Sequence, residues 1–306
     1  ALRNLASSEE PMIALVRDGA HTMLMSAVRD HSDDEDVVRL ACGALQNLTR
    51  VSDYRASMVR DGVHRAVVAA GRAHRGNTEV AWRVCKTLHN LAVADTAAQL
   101  LRDGAHTAVM AAVRHHSTNA DVAWHACNVL RNLAESDEGR GQLLRDGAHL
   151  TVVAAMQSHS GNAKVAGTTC WALCRLARVA ANCALLVRDG AHVAAMVAAR
   201  DYPGDVSVAW AVCLMLSRLA HADGVEAQLI RDGAHVAVMA AARAHAGKVE
   251  VARSACATLT DLVIAASDAL EPKGMDIRDF AQLMVDPHPE DDTVQNCHGR
   301  VEDEWP

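Results

Sequence analysis

The motif Arg-Asp-Gly-x-His recurs six times in this 306-residue chain at a nearly constant interval. Its copies begin at Arg17, Arg60, Arg102, Arg145, Arg188 and Arg231, so successive copies lie 42 or 43 residues apart. A cysteine series keeps the same spacing and consists of Cys42, Cys85, Cys127, Cys170, Cys213 and Cys256. A period in this range is typical of solenoids built from stacked helical repeats. Because a solenoid presents long surfaces and encloses no pocket by default, the period favours binding over catalysis.

The residues of one period predict three helices separated by two turns. Gly147 can adopt a positive φ and turn the chain after the first helix, and Asp146 is a candidate N-cap for the second helix. A polar turn then precedes the third helix, which is the longest. Within residues 137–178 the three helices are expected at 137–144, 149–157 and about 163–178.

The composition narrows the class of protein. Half of the residues are apolar, but Phe and Tyr together number three, so the core has to be built from small side chains. The net charge of −7 argues against a nucleic-acid binder. The sequence contains no apolar run of the roughly 18–20 residues that span a bilayer, so no membrane insertion is expected.

Cysteines of neighbouring repeats, about 10 Å apart at helix-packing distances, are too far apart for disulfides. Buried free cysteines indicate a reducing compartment, the cytoplasm or the nucleus.

Each period contains a short helix, a Gly-Ala turn, a second helix, a polar turn and a long third helix that ends in Asn-Leu. This arrangement resembles the armadillo (ARM) repeat. The turn is present at Gly19-Ala20, Gly104-Ala105 and Gly147-Ala148, and the ending at Ala44-Leu45-Gln46-Asn47-Leu48. The resemblance covers about residues 1–265. It implies an all-α fold, a right-handed superhelical α-solenoid of armadillo-type three-helix repeats.

The repeat pattern predicts how the chain is divided. Residues 1–265 are expected to hold the end of a preceding repeat and six repeats of 42–43 residues, at 9–50, 53–93, 95–135, 137–178, 180–221 and 223–265. Residues 266–285 are predicted to be an insertion and a C-terminal capping helix. Residues 286–306, with seven acidic residues and one Arg after position 285, are predicted to be a disordered acidic tail.

Two histidine series follow the repeat and are interpreted as structural. The first is His21, His64, His106, His149, His192 and His235; the second is His31, His74, His116, His159 and His245, with Tyr202 in the fifth repeat. The second series is expected at the end of the second helix, where an imidazole can bond free carbonyls. One histidine per repeat cannot gather the ligands of a metal ion. The sequence also lacks a phosphate loop and a nucleophile elbow, so no catalytic residue, cofactor or metal is predicted.

The resemblance implies that the third helices line a groove in which an Asn near each helix end bonds the backbone of an extended peptide. The matching positions are Asn4, Asn47, Asn90, Asn132, Arg175, Arg218 and Asp261. An alternative is that these side chains tie the repeats together. Trp82, Trp124 and Trp210 are candidate anchors at the groove edge, and packing between repeats is their alternative role. Trp171 lies one turn before Arg175, where the resemblance to the nuclear-import branch of the family implies a groove Trp.

Charge adds a further expectation for the third helices. Their middle and end carry Arg39, Arg83, Lys86, His89, Arg131, Arg175, Arg218 and Arg253, whereas the acids lie at the helix starts. We therefore expect an electropositive groove that binds an extended or helical acidic segment of a protein partner, with ordinary solvated surface as the alternative. The acidic tail, residues 286–304, is a candidate occupant of the same groove.

The pattern as a whole predicts a non-enzymatic protein–protein interaction scaffold. One alternative is a structural arm of a large multiprotein assembly. Another is the regulatory solenoid of a larger kinase-like protein, since the turns at His74-Arg75-Gly76-Asn77 and His116-Ser117-Thr118-Asn119 are similar to repeats found in such proteins.

Overall fold

In a computed structural model of the chain, residues 9–222 and 224–267 are described, and they form eighteen α-helices without a β-strand. The helices follow one another in six groups of three, which we call repeats 1–6. The first helices are α1 (Glu9–Arg17), α4 (Arg55–Arg60), α7 (Ala94–Arg102), α10 (Asp137–Arg145), α13 (Ala180–Arg188) and α16 (Glu226–Arg231). The second helices are α2 (Ala20–Asp30), α5 (Val63–Ala73), α8 (Ala105–His115), α11 (Ala148–Ser158), α14 (Ala191–Asp201) and α17 (Ala234–Ala244). The third helices are α3 (Glu35–Leu48), α6 (Thr78–Leu91), α9 (Ala120–Leu133), α12 (Ala163–Leu176), α15 (Val206–Ala220) and α18 (Val249–Ser267).

The predicted all-α solenoid is confirmed. The chain divides into two compact units, residues 1–151 and 152–306, which we call the N-terminal and C-terminal units. In the N-terminal unit α3 packs on α6 and α6 on α9, and in the C-terminal unit α12 packs on α15 and α15 on α18. The predicted acidic tail and nearly all of the predicted capping segment lie outside the described residues, as does Asn4, so the division at 265 and 285 stays a prediction.

Five of the six third helices begin at a short polar side chain that caps them. Asn77 accepts a hydrogen bond from the backbone N–H of Val80 at 2.9 Å, and Asn119 accepts one from Val122 at 3.0 Å. Asp34, Asn162 and Asp205 cap α3, α12 and α15 in the same way. A cap of this kind stabilises a helix by about 1 kcal/mol because it satisfies a backbone donor left free at the helix start.

The core consists of small apolar side chains, as the composition predicts. Ala, Val, Leu and Cys make up most of the fully buried residues on the third helices, for example Leu45, Val84 and Leu130. All six members of the cysteine series are buried, and the eight described cysteines are free. Burial raises the pKa of the Cys42 thiol to about 12, which keeps it protonated and unreactive.

The Arg-Asp-Gly-x-His motif joins adjacent repeats. Its glycine adopts a left-handed conformation between the first and second helices, with φ of 76° at Gly104. The motif histidine then reaches the motif aspartate of the next repeat: His64 Nε2 lies 2.6 Å from Asp103 Oδ2, and His192 Nε2 lies 2.7 Å from Asp232 Oδ2. The same bond joins His21 to Asp61 and His106 to Asp146.

The proposed capping role of Asp146 is therefore wrong. Asp146 ends α10 as its C-cap, and its side chain accepts hydrogen bonds from His106 and Gln142 instead of capping α11. The prediction failed because the partner of the aspartate lies forty residues earlier in the chain, where no local pattern indicates it.

The second histidine series ends the second helices, as predicted, and it also joins repeats. His31, His74, His116, Tyr202 and His245 are the C-caps of α2, α5, α8, α14 and α17. His74 Nε2 lies 2.7 Å from the Ser32 carbonyl oxygen, and His116 Nε2 lies 2.9 Å from that of Arg75. Tyr202 donates its hydroxyl proton to the Ser160 carbonyl in the corresponding place.

Candidate partner-binding site

Two of the asparagines that the resemblance assigned to peptide binding, Asn90 and Asn132, contact the preceding repeat. Asn90 Nδ2 lies 3.1 Å from Thr49 Oγ1 and 3.4 Å from the Gln46 carbonyl oxygen. Asn132 Nδ2 donates to the Ala92 carbonyl at 2.9 Å. These contacts support the alternative interpretation, in which the Asn series ties the ends of the third helices together.

Arg218 takes over the same contact in the C-terminal unit. Its guanidinium Nη1 donates to the Cys174 carbonyl at 2.7 Å and lies 2.9 Å from Cys174 Sγ. Cys174 precedes Arg175 by one residue, just as Gln46 precedes Asn47, so the accepting carbonyls occupy equivalent positions. The change from Asn to Arg along the series therefore preserves an inter-repeat tie. Arg175 itself is half-buried.

Arg83 is not a free groove cation, contrary to the sequence prediction. It is 7% exposed and forms an ion pair with Glu79, one turn earlier on α6. Glu79 also lies 3.6 Å from a guanidinium nitrogen of Arg39, which bonds Asp36 at 2.7 Å. The helix-start acids therefore neutralise part of the predicted basic surface. A Cβ at Gly43 would overlap the Arg83 guanidinium, so any larger residue there would make that side chain shift.

An aromatic and imidazole cluster lies on α6 and α9, and we call it the indole–imidazole cluster. Its members are Trp82, His89, Trp124 and His125. The Trp124 and His125 rings lie 4.5 Å apart between centroids, and the Trp124 ring stands perpendicular to that of His89 at 5.7 Å. The Nδ1 atoms of the two histidines are 3.1 Å apart, so one imidazole donates a hydrogen bond to the other.

Both histidines of the cluster are neutral at pH 7. Burial, followed by the charge of Arg131, lowers the pKa of His89 to about 4. Burial, followed by the proximity of His89, lowers the pKa of His125 to about 3. His89 was expected to contribute positive charge to the groove, and that expectation is wrong, because an imidazole removed from water and placed among cations loses its proton.

Two cations flank the cluster. The Lys86 ammonium lies 4.8 Å from the centroid of the Trp82 ring, a cation–π contact. Arg131 is half-buried, and its Nε lies 3.4 Å from the Asn132 side-chain oxygen. Within the described ranges neither residue forms an ion pair with a carboxylate. Lys86 and Arg131 therefore carry the positive charge of this face.

The tryptophans of the C-terminal unit contact each other. The rings of Trp171 on α12 and Trp210 on α15 are perpendicular, with centroids 5.0 Å apart. Trp171 Nε1 also donates to Ser207 Oγ at 3.3 Å. Both side chains remain half-buried. Packing between repeats, the alternative role of Trp210, is thus observed for this pair.

Sequence reasoning missed His125. The equivalent positions of other repeats hold Leu40, Arg83, Thr168, Ala211 and Ser254, so this position belongs to no periodic series. Periodicity therefore carried no signal that could have singled it out. In the described part of the chain, no group of three or more His, Cys, Asp or Glu side chains could hold a metal ion. None of the described helices is long and apolar enough to cross a membrane.

No family model matches the chain, and no curated protein matches its sequence. Solved structures do resemble it. The crystal structure of an engineered protein aligns with 99% of this chain and 72% of its own length, with a TM-score of 0.81 and 19% identity. A structure from work on a phosphorylation switch in the interaction between cadherin and beta-catenin aligns with 99% of this chain and 68% of its own, with a TM-score of 0.52 and 15% identity. At these identities the likeness shows a shared fold, the helical repeat solenoid.

Proposed function

We propose that this chain is an armadillo-type, non-enzymatic scaffold that binds an extended acidic segment of a protein partner along the face formed by its third helices. The helical repeat solenoid supports a binding role, because such folds expose long surfaces. The similar structure from the cadherin and beta-catenin work concerns an interaction between proteins. The buried free cysteines are consistent with a reducing compartment, the cytoplasm or the nucleus.

The observation that carries the proposal is the pair Lys86 and Arg131 beside exposed parts of Trp82 and Trp124. Neither cation is neutralised by a carboxylate of the described chain. An acidic partner side chain would form ion pairs with them, and an adjacent apolar side chain would pack on the indole rings. The neutral imidazoles of the cluster add donors and acceptors without adding charge.

We also assign the asparagine side chains a secondary role in partner binding, besides the hydrogen bonds that join the repeats. A side-chain amide carries two N–H groups, and at Asn132 one of them bonds the Ala92 carbonyl. The other is the group that would reach a partner backbone, as would the corresponding group of half-buried Asn47. In the C-terminal unit the equivalent face offers Trp171, Trp210 and the remaining guanidinium donors of Arg218.

Affinity capture from a cell extract with three forms of the chain tests the proposal. Lys86→Glu with Arg131→Glu reverses the charge of the third-helix face. The matched control, Arg72→Glu with Arg114→Glu, changes net charge equally on exposed second-helix residues of the same two repeats. Proteins lost from the first variant and retained by the control are expected. If both variants retain every partner, the third-helix face is not the binding surface. The alternative function, a structural arm of a large assembly that contacts its partners through other faces, is then favoured.

The acidic tail is proposed as a competitor for the same face. Residues 286–304 carry seven acidic residues and one arginine. Deleting residues 286–306 should then tighten binding of a captured partner, measured by titration at low ionic strength, where charge attraction is least screened. Unchanged affinity would show that the tail does not occupy the face.

A further inference from the structure

A second surface, distinct from the third-helix face, lies where successive second helices run side by side. Four neighbouring pairs leave a furrow. The volumes are about 480 Å³ between α2 and α5 and about 270 Å³ between α5 and α8. The furrow between α11 and α14 measures about 330 Å³. The furrow between α14 and α17 is the largest of these, at about 650 Å³.

Exposed valines line the α14/α17 furrow, and two of them, Val193 and Val197, also line the α11/α14 furrow. The three valines, Val193, Val197 and Val236, are 43%, 36% and 56% exposed. The positions equivalent to Val193 and Val236 hold Thr22, Arg65 and Thr107 in repeats 1–3. The positions equivalent to Val197 hold Ser26, Ala69 and Ala111. Repeat 4 holds Leu150, 53% exposed, at the position of Val193 and Val236, so exposed apolar side chains occupy this position in repeats 4–6, and water contact with them is unfavourable.

The chain itself contains a segment with a matching pattern. Residues 277–284 read Ile-Arg-Asp-Phe-Ala-Gln-Leu-Met, in which Ile277, Phe280, Leu283 and Met284 recur at helical spacing. In a helix these four side chains would share one face, with Arg278, Asp279 and Gln282 away from it.

The length of intervening chain permits the contact. The second and third helices of repeat 6 pack together across the short turn between Ala244 and Val249, so they run antiparallel. The end of α18 therefore lies toward the start of α17, where Asp232 and Gly233 line the furrow. The nine residues 268–276 can span about 30 Å when extended, about three times the 8–10 Å between packed helix axes, so the chain can cross from the end of α18 to the furrow beside α17.

We propose that residues 277–284 dock in the α14/α17 furrow of the same chain. The apolar face of the segment covers Val193, Val197 and Val236. Because the chain enters at the start of α17, the segment runs parallel to that helix. It thereby brings Asp286 to the far end of the furrow, where Arg200 lines it and Arg243 is exposed on α17. The second helices of repeats 5 and 6 thus bind the segment that precedes the acidic tail.

Fluorine NMR of the full chain tests this proposal, because Phe280 is the single phenylalanine. Incorporating 4-fluorophenylalanine therefore yields one resonance that reports on this segment. We expect the resonance of the native chain to be displaced from its position in urea, and Val236→Arg to return it toward that position. Thr107→Arg places the same charge at the equivalent site of α8 and should leave the resonance unmoved.

Other results would overturn the proposal. A native resonance at the unfolded position would show that the segment is not docked. A displaced resonance that ignores Val236→Arg would place the segment elsewhere, for instance against the end of repeat 6. Loss of the displacement on dilution would mean that a second copy supplies the segment. If Val236→Arg lowers the melting temperature sharply, Val236→Thr, which copies the residue of repeat 3, should still produce a partial return; no movement would contradict docking.

Discussion

The N-terminal and C-terminal units place tryptophans on their third helices and surround them differently. In the N-terminal unit Trp82 and Trp124 share a cluster with two neutral imidazoles and lie near two cations without ion-pair partners in the described chain. In the C-terminal unit Trp171 and Trp210 contact each other at 5.0 Å. The contrast shows that one repeat plan supports different surface chemistry at positions that the packing leaves free to vary.

The bonds between repeats show the opposite behaviour, since different residues perform one task. Asn90 contacts the Gln46 carbonyl in the N-terminal unit, and Arg218 contacts the equivalent Cys174 carbonyl in the C-terminal unit. At another position Arg140 donates to the Ala134 carbonyl at 2.9 Å, where Cys183 approaches the Ala177 carbonyl with its Sγ at 3.5 Å. The carbonyl at a third-helix end needs a donor, and its identity can change.

The largest expected loss of stability in this comparison follows from replacing Arg140. Arg140 is buried and donates to the carbonyls of Ala134 and Glu135 and to Asp137. Arg140→Ala should lower the free energy of unfolding by about 3 kcal/mol, because charge-assisted hydrogen bonds are lost in a buried site. Cys183→Ala in the C-terminal unit should cost about 1 kcal/mol or less, since a thiol is a weak donor. Urea unfolding followed by circular dichroism measures both, and equal losses would contradict the account.

A smaller difference in destabilisation is expected between breaking the His64–Asp103 bond and breaking the His192–Asp232 bond. Asp103 accepts from His64, Arg65 and Gln99, whereas Asp232 accepts from His192 and Gln228. Asp103→Ala should therefore destabilise more than Asp232→Ala, by about 2–3 against about 1–2 kcal/mol, because each buried imidazole loses its partner. Similar urea midpoints for the two variants would show that Arg65, which has no counterpart at Asp232, adds nothing.

The same aspartates make the stability of the folded chain depend on pH in acid. Burial raises the pKa of Asp103, but hydrogen bonds from Arg65 and His64 outweigh it and hold the pKa below its usual range. The hydrogen bond from His192 lowers the pKa of Asp232. A depressed carboxyl pKa contributes stability above the unfolded value near 3.9 that is lost as pH falls through the folded value. Acid unfolding of Asp232→Asn should therefore depend less on pH below about 4 than that of the unchanged chain.

The histidine pair predicts a milder pH effect confined to the N-terminal unit. His89 and His125 have pKa values of about 4 and about 3, below the usual value near 6.5. The unfolded chain therefore binds protons between about pH 6.5 and 4 that the folded chain excludes, so stability falls across that window as pH decreases. Replacing both histidines with glutamine should flatten the dependence of the urea midpoint on pH in this window. The same slope in the variant would place its origin elsewhere.

Much of the fold could be read from the sequence because repeat period, turn glycines and caps such as Asn77 are local signals. The bonds between repeats could not, because His64 and Asp103 lie 39 residues apart and only the stacked structure brings them together. For the site, the contacts of Asn90 and Asn132 could not be read from the sequence, because they depend on where the preceding third helix ends. Glu79 was assigned to the helix start, although its spacing of four from Arg83 also permits the observed ion pair. His125 varies among repeats, and periodicity alone gave it no weight.

Binding of a defined acidic probe tests the central claim most directly. A fluorescein-labelled, 16-residue peptide of alternating aspartate and alanine is titrated against the unchanged chain, Lys86→Glu with Arg131→Glu, and Arg72→Glu with Arg114→Glu. Fluorescence anisotropy should show binding that weakens with salt, a loss of roughly tenfold or more in the first variant, equivalent to about 1.4 kcal/mol, and a much smaller loss in the second. Equal affinity for the two variants would contradict the assignment of partner binding to the third-helix face of repeats 2 and 3.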